Sequence, residues 1–278
     1  MSAAVFKKFR LIGKIPESRL ITSFFLTPDD GTQIDEFKPG QYVTLRLPDQ
    51  TVRTYTVSSS VKNRSGYRIS VKREESIDGS TPPGKVSNYL HDFFEVGDLI
   101  DVLAPRGDFW LDEQSSRPVL LLSGGVGVTP MVSMLHALDN SRRKVFFIHA
   151  CREGNDHAFL EEVSSFSRAN LNITTVFFYR RASADDRARM DYREGAIDPE
   201  FFAELNCDLE SECYLCGPPE FMKSVYAALI SYGIQKNRIY YEFFGGGTSL
   251  GFDTVEAVDT HSDSNLVIEL EKSRKTFN

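Results

Sequence analysis

The sequence predicts an antiparallel β barrel of Greek-key type, followed by an α/β domain with a doubly wound parallel sheet. The first hundred residues read as short strands broken by turns, whereas the later strands alternate with helices. The pattern changes at residues 104–108, A-P-R-G-D, and the 278 residues suffice for two domains. The boundary falls between 105 and 117, and we predict domains over 1–108 and 109–245, with a tail over 246–278.

The barrel is predicted from runs of β-prone residues between turn signals. P-D-D-G at 28–31 and P-G at 39–40 are such signals. Strands this short and regular are typical of a closed antiparallel barrel. One short helix fits at 86–92. The predicted strands are 8–15, 20–27, 42–47, 53–57, 67–72 and 99–103.

The second domain is predicted from apolar strands that alternate with helical stretches. This alternation implies right-handed crossovers and a parallel sheet. The predicted strands are 119–122, 145–150, 173–179, 213–216 and 238–241, and the predicted helices are 130–138, 157–169 and 219–232. After three glycines at 245–247 the tail becomes acidic, and residues 266–270, L-V-I-E-L, read as a lone strand.

Composition excludes some classes of partner. The net charge is −7 and the longest basic run is R-R-K at 142–144, which argues against nucleic acid as the main partner. No apolar run approaches the roughly 20 residues that span a membrane. The N-terminus lacks the shape of a signal peptide. We therefore expect a cytoplasmic protein without a membrane partner.

The four cysteines, Cys151, Cys207, Cys213 and Cys216, do not form a familiar redox or metal motif. The C-x-x-C pair at 213–216 lies within a predicted strand, whereas a thioredoxin-like pair opens a helix after a strand. The spacing also differs from that of plant-type iron–sulfur proteins. We expect separate reduced thiols and no metal site.

Two segments of the barrel have the chemistry of a flavin nucleotide site. Arg53 and Tyr55 share one face of a strand and offer a cation and an aromatic surface, and Thr56 adds a hydroxyl. Residues 84–87, G-K-V-S, open the predicted helix, where backbone N–H groups can bind phosphate. An exposed arginine beside a half-buried tyrosine, and Ser87 as a helix cap, are the ligand-free alternatives.

Two loops of the second domain have the chemistry of a nicotinamide nucleotide site. Residues 125–130, G-V-G-V-T-P, join a strand to a helix, so the glycines allow close approach of a pyrophosphate. Thr129 is placed to cap that helix and Pro130 to occupy its first turn. Residues 216–219, C-G-P-P, follow another strand, so both loops are expected to face one crevice. A tight turn and a buried, inert cysteine are the alternatives.

These segments lie within a wider resemblance. Residues 1–247 resemble the ferredoxin–NADP reductase family, and above all the reductase part of bacterial flavohaemoglobins. The similarity is carried by residues 66–74 (G-Y-R-I-S-V-K-R-E), 84–91 (G-K-V-S-N-Y-L-H) and 104–109 (A-P-R-G-D-F). The resemblance implies two cofactors, FAD and either NADH or NADPH.

The resemblance also implies a role for individual residues. Thr56, where family members more often carry serine, is expected near the flavin N5, Cys216 beside the nicotinamide ring, and Glu242 at a proton-supplying or flavin-tuning position. Phe244 is expected to cover the flavin ring, although a core aromatic pair with Phe243 is the alternative. The FAD-binding residues implied are Tyr42, Arg53, Tyr55, Thr56, Gly84, Val86, Ser87 and Phe244. The nucleotide-binding residues implied are Gly124, Gly125, Gly127, Thr129, Pro130, Gly217 and Pro218.

The predicted function is that of an FAD-dependent NAD(P)H oxidoreductase that passes electrons to a one-electron acceptor. A haem protein and a [2Fe-2S] ferredoxin domain are the candidate acceptors. The ferredoxin domain is a candidate because residues 265–278 resemble the opening strand of a plant-type ferredoxin domain. The alternatives are a stand-alone reductase of ferredoxin, haem protein or free flavin, a non-catalytic module that kept the fold, and a tail without function.

The choice between NADH and NADPH stays open at this stage. No acidic residue clearly fits the ribose-binding role. Arg152, Arg180 and Arg181 fit either a 2′-phosphate or a solvated surface, and the flavohaemoglobin likeness favours NADH.

Overall fold

The computed structural model describes residues 5–75, 84–189 and 192–244. Six antiparallel strands form the first sheet, in the order β4-β3-β6-β1-β2-β5. An antiparallel bridge between Val57 and Ile69 joins the two outer strands, so the sheet closes into a barrel, as predicted. The elements are β1 Phe6–Pro16, β2 Ile21–Pro28, β3 Tyr42–Arg46, β4 Val52–Thr56, β5 Tyr67–Lys72, α1 Lys85–Asp92 and β6 Leu99–Arg106.

Five parallel strands form the second sheet, in the order β11-β10-β7-β8-β9. The helices lie between these strands in the chain, which confirms the doubly wound α/β class. The strands are β7 Val119–Gly124, β8 Val145–Cys151, β9 Ile173–Tyr179, β10 Glu212–Cys216 and β11 Ile239–Glu242. The helices are α2 Val128–Leu138, α3 Leu160–Ala169, α4 Ala184–Arg189, α5 Pro199–Glu204 and α6 Pro219–Tyr232.

Three apolar clusters hold these elements together. One fills the barrel interior, where Phe24, Leu45 and Ile69 are fully buried. The other two lie on opposite faces of the parallel sheet, because alternate residues of each strand point to opposite faces. Neighbouring Leu120 and Leu121 of β7, for example, belong to different clusters. A parallel strand buried on both faces reads as a continuous apolar run, which explains why the sequence locates these strands well.

Neither residue considered as a helix cap, the predicted Thr129 or the alternative Ser87, occupies the capping position. Helix α2 begins at Val128 after a 3₁₀ turn over Gly125–Gly127, so Thr129 lies inside its first turn and donates a hydrogen bond to the Val126 carbonyl at 3.2 Å. Likewise Ser87 lies inside α1 and donates to the Gly84 carbonyl at 3.0 Å. In both helices a glycine occupies the capping position without a side-chain hydrogen bond.

Helices α4 and α5 are not predicted from the sequence, and α3 begins later than predicted. The left-handed backbone of Phe159 (φ 63°) delays α3 until Leu160. Helix α5 has only six residues, too few for a clear amphipathic period, although Asp198 caps it by accepting from the Phe201 N–H at 2.8 Å. No helix within the three described ranges is long and apolar enough to cross a membrane. The predicted strand at 266–270 and the tail lie outside the described residues.

Candidate functional site

The strand order of the second sheet reverses between β7 and β10. The chain continues from β7 to β8 and β9 on one side, and β10 and β11 lie on the other. In sheets of this kind, ligands bind at the carboxyl ends of the strands beside the reversal point. Register places Ser123 and Glu242 on either side of Cys216, at the ends of three neighbouring strands.

Glycines let the two loops at this point pack backbone against backbone. A Cβ atom added to Gly127 would lie 2.3 Å from the carbonyl oxygen of Cys216. A Cβ atom added to Gly217 would lie 3.0 Å from the backbone nitrogen of Gly124. The first separation is shorter than any normal non-bonded contact, so a side chain at Gly127 would push the loops apart. The glycines of G-x-G-x-T-P therefore also serve the contact between the loops.

A buried polar chain supports the strand end behind the glycine-rich loop. The hydroxyl oxygen of Ser123 lies 2.9 Å from Nδ1 of His149. The ring centroids of His149 and His157 are 5.0 Å apart. His157 Nδ1 in turn lies 2.7 Å from the hydroxyl of Tyr179. Burial lowers the pKa of His149 to about 4, and that of His157 well below its usual value. Both rings are therefore neutral at physiological pH.

We expect this pair to make the protein sensitive to acid. In the unfolded chain His149 takes up a proton near pH 6.5, but in the folded chain it does so only near pH 4. The contribution of the neutral His149 to the free energy of unfolding is therefore complete above pH 6.5 and is lost as the pH falls towards 4. For His149 alone the loss between pH 7 and pH 5 should be about 2 kcal/mol. Urea unfolding at the two pH values measures this loss in the free energy of unfolding. His149→Gln should remove that part of the pH dependence, and an unchanged dependence would contradict the assignment.

A cleft of about 440 Å³, here called the barrel cleft, opens between the barrel and the strand ends. Most of the predicted site residues meet there although they come from distant parts of the sequence. The predicted residues that line it are Tyr42, Arg53, Tyr55, Thr56, Gly84, Val86, Ser87, Thr129, Glu242 and Phe244.

Strand β4 supplies the polar groups of the barrel cleft. The guanidinium of the exposed Arg53 makes one hydrogen bond within the described residues, to the carbonyl of Val52 at 2.8 Å. Burial above all raises the pKa of Tyr55, so its hydroxyl stays protonated. The hydroxyl oxygen of Thr56 is buried and has no hydrogen-bond partner in the described part of the chain. An unpaired buried hydroxyl costs free energy and marks a place for a polar ligand atom.

The start of helix α1 forms another wall of the barrel cleft. Gly84 has no room for a side chain, because an added Cβ atom would lie 2.5 Å from Ser87 Oγ and 2.7 Å from the Cβ of Glu74. Gly84 is also tied by its N–H to the Glu74 carbonyl at 2.9 Å. The N–H groups of the first helical turn have no partner inside the helix and favour an anion.

The second sheet contributes the remaining wall through β11 and the residues after it. Glu242 is buried, whereas Phe244 is 39% exposed. Burial above all raises the pKa of Tyr42, and the negative charge of Glu242 raises it further. Glu242 and Tyr42 therefore lie close enough to interact, although they belong to different sheets.

A second cleft of about 590 Å³, here called the sheet cleft, lies along the carboxyl ends of β7, β8 and β9. The predicted residues Gly124, Gly125 and Pro218 line it. Arg152, which follows β8, and Arg180, which follows β9, also line it, whereas Arg181 does not.

The two clefts meet. Val126, in the glycine-rich loop, and Lys72, the last residue of β5, line both of them. Neither residue is predicted from the sequence. The signal for Lys72 is its spacing from Ser70, since alternate residues of a strand share a face and Ser70 also lines the barrel cleft. Val126 carries no comparable signal, because a valine between two glycines is equally suited to a core position.

Four predicted site residues line neither cleft: Gly127, Pro130, Cys216 and Gly217. Gly127 and Gly217 act through the loop contact described above. Cys216 is fully buried within the apolar cluster on one face of the parallel sheet. Its predicted position beside a nicotinamide ring stays a prediction.

Comparison with known proteins finds two family profiles and many relatives. The profile of the oxidoreductase FAD-binding domain matches residues 8–110, and that of the oxidoreductase NAD-binding domain matches 121–227. The flavohemoprotein of Bacillus cereus is 42% identical over 253 residues, which are 88% of this chain and 62% of that protein. The chain thus spans about three fifths of the length of this curated relative.

Solved structures give the same picture. The flavohem-like FAD/NAD-binding domain of nitric oxide dioxygenase from Vibrio cholerae is 37% identical, with a TM-score of 0.77 over 86% of this chain and 99% of that one. Phthalate dioxygenase reductase, described as a modular structure for electron transfer from pyridine nucleotides to [2Fe-2S], is 25% identical, with a TM-score of 0.68 over 88% of this chain and 70% of that one.

Proposed function

The chain belongs to the ferredoxin–NADP reductase-like oxidoreductases, which join an FAD-binding domain to an NAD-binding domain, and from this premise we propose that it passes electrons from NADH or NADPH through FAD to a separate one-electron acceptor. The observation that carries the proposal is the meeting of the two clefts at Val126 and Lys72. Two cofactors that exchange a hydride must touch, and here the two clefts lie side by side and share the residues Val126 and Lys72.

The barrel cleft fits FAD. Its orphaned Thr56 hydroxyl offers a hydrogen bond to a polar ring edge, Tyr55 offers an aromatic surface, and Arg53 has donors free for phosphate. The first turn of α1 adds backbone N–H groups for the diphosphate. We assign these residues to FAD, together with Tyr42, Gly84, Val86 and Ser87, and we place Phe244 against the flavin ring.

The sheet cleft fits a nicotinamide nucleotide. It runs along the carboxyl ends of the strands and includes the glycine-rich loop and the start of α6. When both cofactors are bound, the nicotinamide supplies a hydride and the flavin divides the electron pair into single electrons. The protein positions the rings and excludes water. We assign Glu242 to proton supply or flavin tuning and Cys216 to the neighbourhood of the nicotinamide, with the domain boundary after residue 108.

The proposal extends to the class of the electron acceptor. Relatives include flavohemoproteins and a reductase described as delivering electrons to [2Fe-2S]. We therefore propose a haem or [2Fe-2S] centre, on another domain or another protein.

The direct test of the function identifies the cofactors and the acceptor class. The purified protein should release FAD on denaturation, and anaerobic NADH or NADPH should bleach its flavin absorbance. It should then reduce ferricyanide unaided and cytochrome c faster when a [2Fe-2S] ferredoxin is added. A colourless protein that takes up no FAD would contradict the proposal.

Arg180 gives a prediction about the choice of nucleotide. Arg152 and Arg180 follow adjacent strands and line one cleft, and Arg152 is compensated by Glu153 at 3.3 Å. The guanidinium of Arg180 has no hydrogen bond to a described residue and is free to receive a 2′-phosphate. Arg180→Ala should lower kcat/KM for NADPH about tenfold and leave that for NADH nearly unchanged.

The neighbouring arginine provides the control for this prediction. Arg181 carries the same charge but does not line the sheet cleft. Arg181→Ala should therefore leave the NADPH to NADH ratio at the parent value. Equal losses for both nucleotides in the Arg180 variant would exclude a role in recognising the 2′-phosphate.

A further inference from the structure

Hydrogen bonds between described residues cross the contact surface between the barrel and the parallel-sheet domain, here called the seam, at several places. The Arg19 N–H donates to the carbonyl of Asn155 at 3.0 Å. The Ser133 hydroxyl donates to the carbonyl of Ser59 at 3.1 Å. Arg68 of β5 pairs with Glu162 of α3. The contact between Arg68 and Glu162 is a charged pair joined by two hydrogen bonds.

Arg68 is fixed on both sides of the seam. On the barrel side its Nη2 donates to the carbonyl of Ser58 at 2.6 Å, and its Nε donates to the Ser58 hydroxyl at 3.2 Å. Across the seam, Nη1 and Nη2 donate to the two oxygens of Glu162 at 2.7 and 2.8 Å. The guanidinium also lies 5.0 Å over the ring of Phe159. Such a planar, bidentate fork fixes orientation as well as distance.

Glu162 joins a third element to this contact. His136 of α2 approaches Glu162 Oε1 with its Nε2 at 2.7 Å. Burial acts to raise the pKa of Glu162, but the hydrogen bonds from His136 and Arg68 outweigh it and lower that pKa to about 2. Glu162 is therefore ionised at neutral pH, and the Arg68–Glu162–His136 contact, here called the clamp, is charged.

Two of the elements that meet in the clamp, β5 and α2, also line the clefts. Strand β5 carries Arg68 and, two and four residues later, Ser70 and Lys72 of the barrel cleft. Helix α2 carries His136 and begins at the glycine-rich loop. A shift of the seam would therefore move Lys72 relative to Val126, where the clefts meet.

We propose that Arg68 and Glu162 are positioning residues that set the spacing between the flavin and nicotinamide sites from the far side of the seam. The inference rests on the proposed electron transfer between those sites. Hydride transfer is sensitive to this spacing, because a misplacement of about 1 Å can cost about 100-fold in rate. Each cleft is built mainly by one domain, so FAD binding should not depend on the clamp.

The test compares Glu162→Gln and Arg68→Ala with Asp101→Asn. Asp101 is the matched control because it pairs with Arg46 and Lys8 inside the barrel alone and lines neither cleft. Flavin reduction by saturating NADH or NADPH is followed by anaerobic stopped flow. We expect Glu162→Gln and Arg68→Ala, here called the seam variants, to reduce flavin about tenfold or more slower than the parent protein. Their affinity for FAD should be unchanged. Arg68→Lys should recover part of the lost rate.

Hydrogen exchange gives a second readout that does not depend on activity. The Arg19 N–H bond to Asn155 crosses the seam, so its exchange should accelerate in the seam variants and not in Asp101→Asn. If Arg68→Ala does not fold, Glu162→Gln carries the test, since it removes a charge and keeps the shape. Parent-like flavin reduction and parent-like exchange in Glu162→Gln would overturn the inference. A parent protein whose FAD is not reduced by either nucleotide would overturn the proposed function instead.

Discussion

Replacement of Gly127 by alanine should nearly abolish reduction of the flavin by the nucleotide. The new methyl carbon would lie 2.3 Å from the carbonyl oxygen of Cys216, a rigid backbone atom. The loops after β7 and β10 must therefore separate, which moves Val126 and the nucleotide-binding backbone together. We expect flavin reduction to slow by about 100-fold and the free energy of unfolding to fall by about 1–3 kcal/mol.

Stopped-flow reduction of bound FAD and urea unfolding measure the two effects. Gly13→Ala is the matched control, because its new methyl group would contact the Phe25 side chain at an ordinary 3.4 Å, and Gly13 lines neither cleft. FAD affinity should change little, since Gly127 does not line the barrel cleft. A Gly127→Ala protein with parent-like reduction kinetics would show that the close approach of the two loops has no part in nucleotide binding.

Removal of the Arg53 side chain should produce the second large effect, on FAD itself. Its guanidinium lines the barrel cleft and, among described residues, bonds only to the carbonyl of Val52. A charge-assisted hydrogen bond to phosphate contributes about 1.5–3 kcal/mol. Arg53→Ala should therefore weaken FAD binding by about 10- to 100-fold.

Calorimetric titration of the FAD-free protein measures this change. Arg53→Lys should retain part of the affinity, because it keeps the charge and loses the planar fork. Lys62→Ala, which removes one positive charge from an exposed turn outside both clefts, should bind FAD as the parent does. Equal affinity in Arg53→Ala and Lys62→Ala would exclude Arg53 from the phosphate site.

The strands of the barrel and of the parallel sheet are predictable because their residue patterns are set by local interactions along the chain. Strands β5 and β9 and helix α6 have the predicted limits, 67–72, 173–179 and 219–232. Their ends are set by local signals, such as Pro218 just before α6, Pro219 at its first position and the left-handed Gly233 after it. Other limits depend on tertiary contacts, which local patterns do not contain. Helix α2, for example, begins at Val128 rather than at the predicted residue 130, where Gly127 packs closely on Cys216.

The candidate site is predictable where a short motif supplies several groups. Residues 53–56, 84–87 and 125–130 each place their members in or beside a cleft. Lys72 and the Arg68–Glu162 pair are different, because their roles depend on how the two domains pack. A single lysine or arginine on a strand reads as a solvated charge until the opposite surface is known. The contact between Arg68 and Glu162 joins residues 94 positions apart, beyond the reach of local sequence patterns.

The central claim is that the two ligand clefts adjoin at Val126 and Lys72, so that the two bound cofactors touch there. A crystal structure with FAD and NAD⁺ bound together tests it most directly. The account predicts the flavin ring in the barrel cleft beside Thr56, the nucleotide along the sheet cleft, and their ring systems in contact next to Val126. Two ligands lodged apart, or one cleft closed by side chains while the other is filled, would contradict it.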